Sequence, residues 1–234
     1  MSLTLATAQL DRRSSLREQI YLIVRTLVLT GEFKPGETID EKAIAAQLNV
    51  SRTPVREAVK KLSDEHLIEV IAQSATRVAR IDRKEIEESF LIRRALEAES
   101  AAQACTRMNE AHNEKLSDIL RAHARAIERR QYVEAIGFDD EFHGYIASVS
   151  GLRRLWKTVE ISKAQLDRCR HMTLPLAGQG EATLEQHREI IRGLNSGEPK
   201  RAALAMCDHL EAAYRSTLIM LDSRNRQQGT EMEA

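Results

Sequence analysis

The chain has 234 residues, with 35 basic and 35 acidic side chains, 42% hydrophobic residues and only 4% aromatic ones. That length holds one or two domains with ample core, and no run of about 18 apolar residues exists to cross a membrane. The first 80 residues carry 12 Lys and Arg against 10 Asp and Glu, about +2, and the remainder about −2, so a general polyanion binder is excluded and a local basic element is not. Residues Met1 to Gln9 lack the charged start and long apolar core of a signal peptide. Cys105, Cys169 and Cys207 are widely spaced and form no CxxC pair, which reads as free thiols in a reducing cytoplasm.

In chain order, Leu16, Ile20, Ile23, Val24, Leu27 and Val28 recur at helical spacing over Leu16 to Thr30, and Gly31 with Lys34-Pro35-Gly36 ends that helix. Asp40 to Leu48 predicts a second, short helix with Ala43, Ile44 and Leu48 inward. After the break at Asn49-Val50, Ser51 can cap a third helix through its hydroxyl, with Pro54 early where a missing N–H costs little. Val55, Ala58, Val59 and Leu62 form its apolar stripe. Arg52, Thr53, Arg56 and Lys60 lie off that stripe. Arginine forks grip phosphate or guanine edges, and threonine bonds phosphate or touches a thymine methyl. Alone, the segment reads equally well as a solvated surface helix. Two short helices joined by a tight turn, however, form the helix-turn-helix whose second helix reads the major groove. His66 to Ile71 and Thr76 to Ile81 then predict two strands around Gln73-Ser74-Ala75. Together these elements predict a winged helix-turn-helix over residues 12–81.

From Asp82, a plausible cap, the pattern is helical throughout. One segment runs to about Arg107, followed by Asn113–Arg130, Val133–Val149, Arg153–His171, Ala182–Leu194 and Pro199–Asp222. Short connections between six helices predict an antiparallel all-helical bundle over 82–222, with a polar, disordered tail at 223–234. The fold class is mainly α: a winged helix-turn-helix followed by the bundle. Within the bundle, Asp139 and His143 stand four apart and project from one helix face, so one metal ion can take both. His187 sits beside Ile190 and Ile191, and His209 beside Met206 and Leu210. A histidine on an apolar face is more often a hydrogen-bonded core residue than a ligand, and spacing alone leaves that choice open.

Two longer patterns carry a resemblance. Leu29-Thr30-Gly31-Glu32-Phe33-Lys34-Pro35-Gly36-Glu37, then Ala45 to Ala58, resembles the N-terminal domain of GntR-family transcription regulators. Ile92-Arg93-Arg94-Ala95-Leu96-Glu97, Asp139 with His143, His187 with Ile190-Ile191, and Ala202 to His209-Leu210 look like the FCD domain of that family's FadR-like branch. The resemblance implies DNA contacts from Ser51, Arg52, Thr53 and Arg56, with Lys42 from the preceding helix. It implies a divalent transition metal, zinc, nickel or similar, on Asp139, His143, His187 and His209, and an effector carboxylate facing Arg93. Asp140 is the neighbouring alternative ligand, one residue off the face. His112, His123 and His171 fall outside the pattern and are expected at the surface or in structural roles. The sequence departs from the family at His66, where glycine is usual, and at Ser74-Ala75, where an Arg-Gly tip would bring the wing close to the minor groove. The implied protein is a cytoplasmic homodimer that binds a pseudo-palindromic operator under control of a small carboxylate. The competing reading is a metal-dependent enzyme acting on a small carboxylate, with the helix-turn-helix as an accessory. A His3Asp site with an open position could activate water, but no nucleophile motif, phosphate loop or dinucleotide fingerprint accompanies it, so no enzyme is expected.

Overall fold

Ser15 opens the first helix: its hydroxyl accepts the Glu18 N–H, and α1 (Leu16–Leu29) buries Ile20, Val24, Leu27 and Val28. The computed structural model describes residue 5, residues 10–11, 13–71 and 75–232, with the side chains of 225 and 227–232 left aside. The chain divides into two compact units, 1–86 and 87–234.

In the first unit, Asp40 caps α2 (Glu41–Gln47) by accepting the Lys42 and Ala43 N–H groups. The turn that follows puts Asn49 at φ +52°, a left-handed position that Asn tolerates better than most residues. Ser51 then occupies the N-cap of α3 (Arg52–Asp64), but its hydroxyl makes no capping hydrogen bond, contrary to the sequence expectation. It leaves the helix end's N–H groups without a side-chain cap and the hydroxyl exposed. The α3 stripe is fully inward, with Val55, Ala58 and Leu62 at 0% exposure, and α1 packs on it. A buried carboxylate ties the two helices: Tyr21 Oη donates to Glu65 at 2.5 Å and Arg25 Nε at 3.1 Å.

The wing is β1 (Ile68–Ile71) paired antiparallel with β2 (Ala75–Val78), Ile68 opposite Val78 and Ile71 opposite Ala75. Residues 36–39 flank β2 on its other edge: Gly36 N–H donates to Val78 O, Val78 N–H to Glu37 O, and Ile39 N–H to Thr76 O. Ala75 is a strand residue and not a turn residue, so its position does not demand glycine's freedom. Ser74, with 72 and 73, lies outside the described residues. His66 precedes the wing at φ +58°, which explains why glycine suits this position. A side chain there costs about 1–2 kcal/mol, and glycine's extra freedom in the unfolded chain offsets about half of that. His66→Gly is therefore expected to stabilise the protein by about 0.5–1 kcal/mol, read from denaturant unfolding.

The second unit is helical. Asp82 accepts the Lys84 N–H at 2.8 Å at the start of α4 (Arg83–Cys105). Then come α5 (Glu110–Glu128), α6 (Tyr132–Val149), α7 (Arg153–Ser162), α8 (Ala164–Thr173), α9 (Gln179–Leu194) and α10 (Pro199–Met232). Leu116, Ile119, Phe142, Ile146, Ile190, Leu194, Met206 and Leu210 share one core. The single helix expected over Arg153–His171 is broken at Lys163. No glycine or proline marks the break; its cause is tertiary. The Lys163 ammonium is buried between Asp140 and Asp167, 2.7 Å from each, and Ser89 Oγ donates to Ser162 O at 2.7 Å. The last helix continues ten residues past the end expected at Asp222, to Met232, so 223–232 is helical where disorder was expected. No proline intervenes to stop it. The close approach of α9 and α10 depends on Gly193: a Cβ there would lie 3.0 Å from Ala202 Cα and 3.2 Å from Arg201 O.

Candidate functional site

On the DNA-reading side, the apolar stripe of α3 points inward and leaves Ser51, Arg52, Thr53 and Arg56 exposed, with Lys42 exposed on α2. Arg56 Nε rests 3.3 Å from Glu41, a surface pair of small worth that a phosphate can displace. Lys61 is held by Glu18 at 3.0 Å, and Arg25 by Glu65. Lys42, Arg52 and Lys60 have no ion-pair partner among the described residues. Uncommitted cations on α2 and α3 are what a phosphate-gripping surface requires.

In the second unit, Asp139 and His143 project from α6, His187 from α9 and His209 from α10. One ligand atom from each lies within 4.8 Å of all the others, and all four residues are buried. His143 Nε2 is 3.2 Å from His209 Nε2 and 3.6 Å from Asp139 Oδ2, and His187 Nε2 is 3.4 Å from Asp139 Oδ1. Ligand atoms on a tetrahedral ion, each about 2.1 Å away, sit about 3.4 Å apart. Neither ring nitrogen of His187 has a hydrogen bond among the described residues, although the ring is fully buried and Phe142 stacks on it at 4.2 Å. A buried ring without a good hydrogen bond is costly, and an ion at this cluster would satisfy one of its nitrogens.

Electrostatics favours the ligating forms. Burial pushes the His187 and His209 pKa values down, for His209 well below the ordinary range, so their lone pairs are free at neutral pH. Burial opposes ionisation of Asp139, but Arg170 and then His187 and His143 hold its carboxyl well below the usual carboxylate range. His123, on α5, is pushed by burial down to about 4. A histidine whose folded pKa is depressed binds fewer protons than the unfolded chain between the two values, so stability is present above the unfolded value of about 6.5 and is lost as pH falls below it. Metal-stripped protein is expected to lose up to about 1.4 kcal/mol per pH unit for each such histidine below pH ~6.5, measured by urea unfolding at pH 7.5 and 5.5.

Around the four clustered residues lies a set that sequence reading missed. Glu97 takes Arg93 Nε on one oxygen at 2.6 Å and lies 2.6 Å from His143 Nδ1 with the other. Burial works against Glu97, but Arg93 and His143 hold its pKa down to about 2. Gln186 Oε1 accepts from His209 Nδ1 at 2.9 Å. Both contacts leave Nε2 available to a metal, an arrangement of the kind that orients metal-bound imidazoles. The i, i+4 spacing of Arg93 and Glu97 was the one available signal. Arg170, on α8, pairs with Asp139 and reaches Asp140 at 3.3 Å. Asp140 thus serves Arg170 and Lys163 and does not join the ligand set. Arg93 lines a cavity of about 40 Å³ together with His123, Asp139, Arg170 and His209, enough for an ion and a few waters. A far larger surface cleft of about 630 Å³, near Cys105 and Asn113, contains none of these groups. Of the expected surface or structural histidines, His112 bonds Arg107 O at 3.1 Å. His123 is buried at this cavity.

The sequence matches the family of bacterial regulatory proteins, gntR family, over residues 16–78 and the FCD domain over 88–212. It is 32% identical over 203 residues to the HTH-type transcriptional repressor RspR of Escherichia coli strain K12, covering 87% of this chain and 89% of that one. Among solved structures, E. coli McbR/YncC shares the fold with a TM-score of 0.77 at 20% identity, over 89% of this chain and 99% of that one. A GntR regulator from Rhodococcus sp. RHA1 does so with a TM-score of 0.71 at 22% identity, over 88% and 98%. No helix among the described residues is long and apolar enough to cross a membrane. The chain therefore belongs to the GntR family, joins that family's helix-turn-helix to an FCD domain, and is a DNA-binding transcription regulator and not an enzyme.

Proposed function

We propose that the chain is a cytoplasmic, FadR-like repressor that binds a pseudo-palindromic operator as a homodimer and answers to a small organic acid. Residues 12–81 form its DNA-binding domain and 82–222 its effector and dimerisation domain. Lys42, Ser51, Arg52, Thr53 and Arg56 contact the operator. Asp139, His143, His187 and His209 hold a divalent transition metal. The E. coli relative is described as a transcriptional repressor, which supports repression. Dimerisation is argued from reach: one recognition helix reads only a few base pairs, so specificity calls for two copies on a two-fold site.

The observation that carries the effector reading is the convergence of four buried ligands beside Arg93. Glu97, Asp139, Asp140 and Asp167 face Arg93, Lys163 and Arg170. With neutral imidazoles, that group of side chains has one excess negative charge. A divalent ion reverses it to one excess positive charge, which a carboxylate neutralises. When bound, the ion supplies a Lewis-acidic seat for a carboxylate oxygen. Arg93 contributes a second, fixed positive charge. The effector must favour one state of the regulator, because a ligand binding both equally shifts nothing. Metal analysis of the purified protein, with gel shifts of operator DNA before and after chelation and with small carboxylates added, tests the reading. About one ion per chain and a carboxylate-dependent shift are expected; a protein that takes up no ion from zinc or nickel loses the metal part of the proposal.

A further inference from the structure

The α5 stripe runs Leu116, Ile119, His123, Ala126, so a polar ring occupies a position that packing would give to an aliphatic residue. His123 is 1% exposed, and its Nδ1 has no hydrogen-bond partner among the described residues. Its ring leans on that of His187 with centroids 5.4 Å apart, and it walls the cavity beside Asp139, Arg93 and Arg170. It is not one of the four clustered ligands. Several of the other polar groups around that cavity are already engaged. Arg93 is held by Glu97 and Arg170 by Asp139. Thr183 Oγ1 donates to Gln179 O, and Ser216 Oγ donates to Gln179 Oε1. An idle buried nitrogen at a cavity wall is costly to keep without a use.

We propose that His123 is a ligand-contacting residue, whose Nδ1–H donates to a carboxylate oxygen of the anion bound beside the Asp139, His143, His187 and His209 centre. The inference rests on the metal reading given above and adds to it a recognition group from a fourth helix. With Nδ1 as donor, the imidazole is neutral, the form that burial favours. The anion is thereby read by a directed hydrogen bond in addition to charge.

The test uses full-length protein loaded with Co²⁺ and titrated with acetate, followed by the visible absorption of the cobalt. Three variants separate contact from packing. His123→Asn keeps a polar atom near the position of Nδ1, His123→Gln places its amide further out, and His123→Leu fills the space without a donor. All three are expected to bind about one Co²⁺ per chain. Acetate affinity is expected to stay within about threefold of wild type for Asn and to fall about tenfold or more for Gln and Leu. Full cobalt loading with equal acetate affinity in wild type and all variants overturns the proposal, as does a wild type whose cobalt spectrum ignores acetate. A wild type that takes up no Co²⁺ overturns the metal reading and this inference with it. If the Leu variant fails to fold, the comparison of Asn with Gln decides alone.

Discussion

Replacing His187 with alanine is expected to abolish metal uptake at the proposed centre. The ring is fully buried, its nitrogens have no partner among the described residues closer than Asp139 at 3.4 Å, and burial disfavours its protonation. Its removal deletes one ligand of four and leaves a void against Phe142, whose ring stacked on it. Outer groups around a metal are worth about 10–100-fold in affinity, so loss of a ligand is expected to cost more than ~100-fold. The metal content of purified protein, expected at about one per chain in wild type, should fall below detection. Two controls separate this from general damage. Glu97→Gln, which keeps the shape but weakens the hold on His143 Nδ1, should lower affinity by only about 10–100-fold. His112→Ala, at the start of α5 and outside the cluster, should leave metal uptake unchanged.

Arg52→Ala is expected to be the most damaging single change at the DNA end. Arg52 lies in the first turn of α3, exposed, with no ion-pair partner to give up, whereas Arg56 must leave Glu41. A bidentate arginine contact contributes about 1–3 kcal/mol per site, and a two-fold dimer loses it twice, or about 2–6 kcal/mol. Gel shifts over a range of salt concentration distinguish the role. If Arg52 reads a base, affinity falls and the salt slope stays. If it grips phosphate, the slope drops by about two per dimer. Arg56→Ala is expected to cost less than Arg52→Ala in the same assay, because loss of the Glu41 pair offsets part of the wild-type gain.

Local order was legible in the sequence because its causes are local. The helical period of Leu16 to Val28, the Asp40 cap and the stripe from Val55 to Leu62 each fix one element through neighbours a turn away. The ligands were legible as residues for a related reason: Asp139 and His143 share one helix face whatever surrounds them. What surrounds them was not legible. Glu97, Arg170, Gln186 and His123 come from α4, α8, α9 and α5, and only packing brings them to the centre. The break at Lys163 was hidden for the same reason: the Asp140 carboxylate and the Ser89 hydroxyl, both tertiary partners, engage Lys163 and Ser162 O in a segment whose own residues favour a continuous helix. Ser51 shows the reverse error. Its residue type suits a cap, but its hydroxyl makes no such bond.

Gly193 has a consequence for how this regulator can fail. It touches no ligand, yet any side chain there would press on the backbone of Ala202 and Arg201. His187 lies six residues before it on α9, and His209 lies seven after Ala202 on α10, so a wedge at that crossing parts the two imidazoles by leverage. Gly193→Val should abolish metal uptake while leaving all four ligands intact, with helical content close to wild type by circular dichroism. A genetic screen for regulators deaf to their signal should return position 193 among its null alleles, at a site that a ligand-by-ligand survey would pass over.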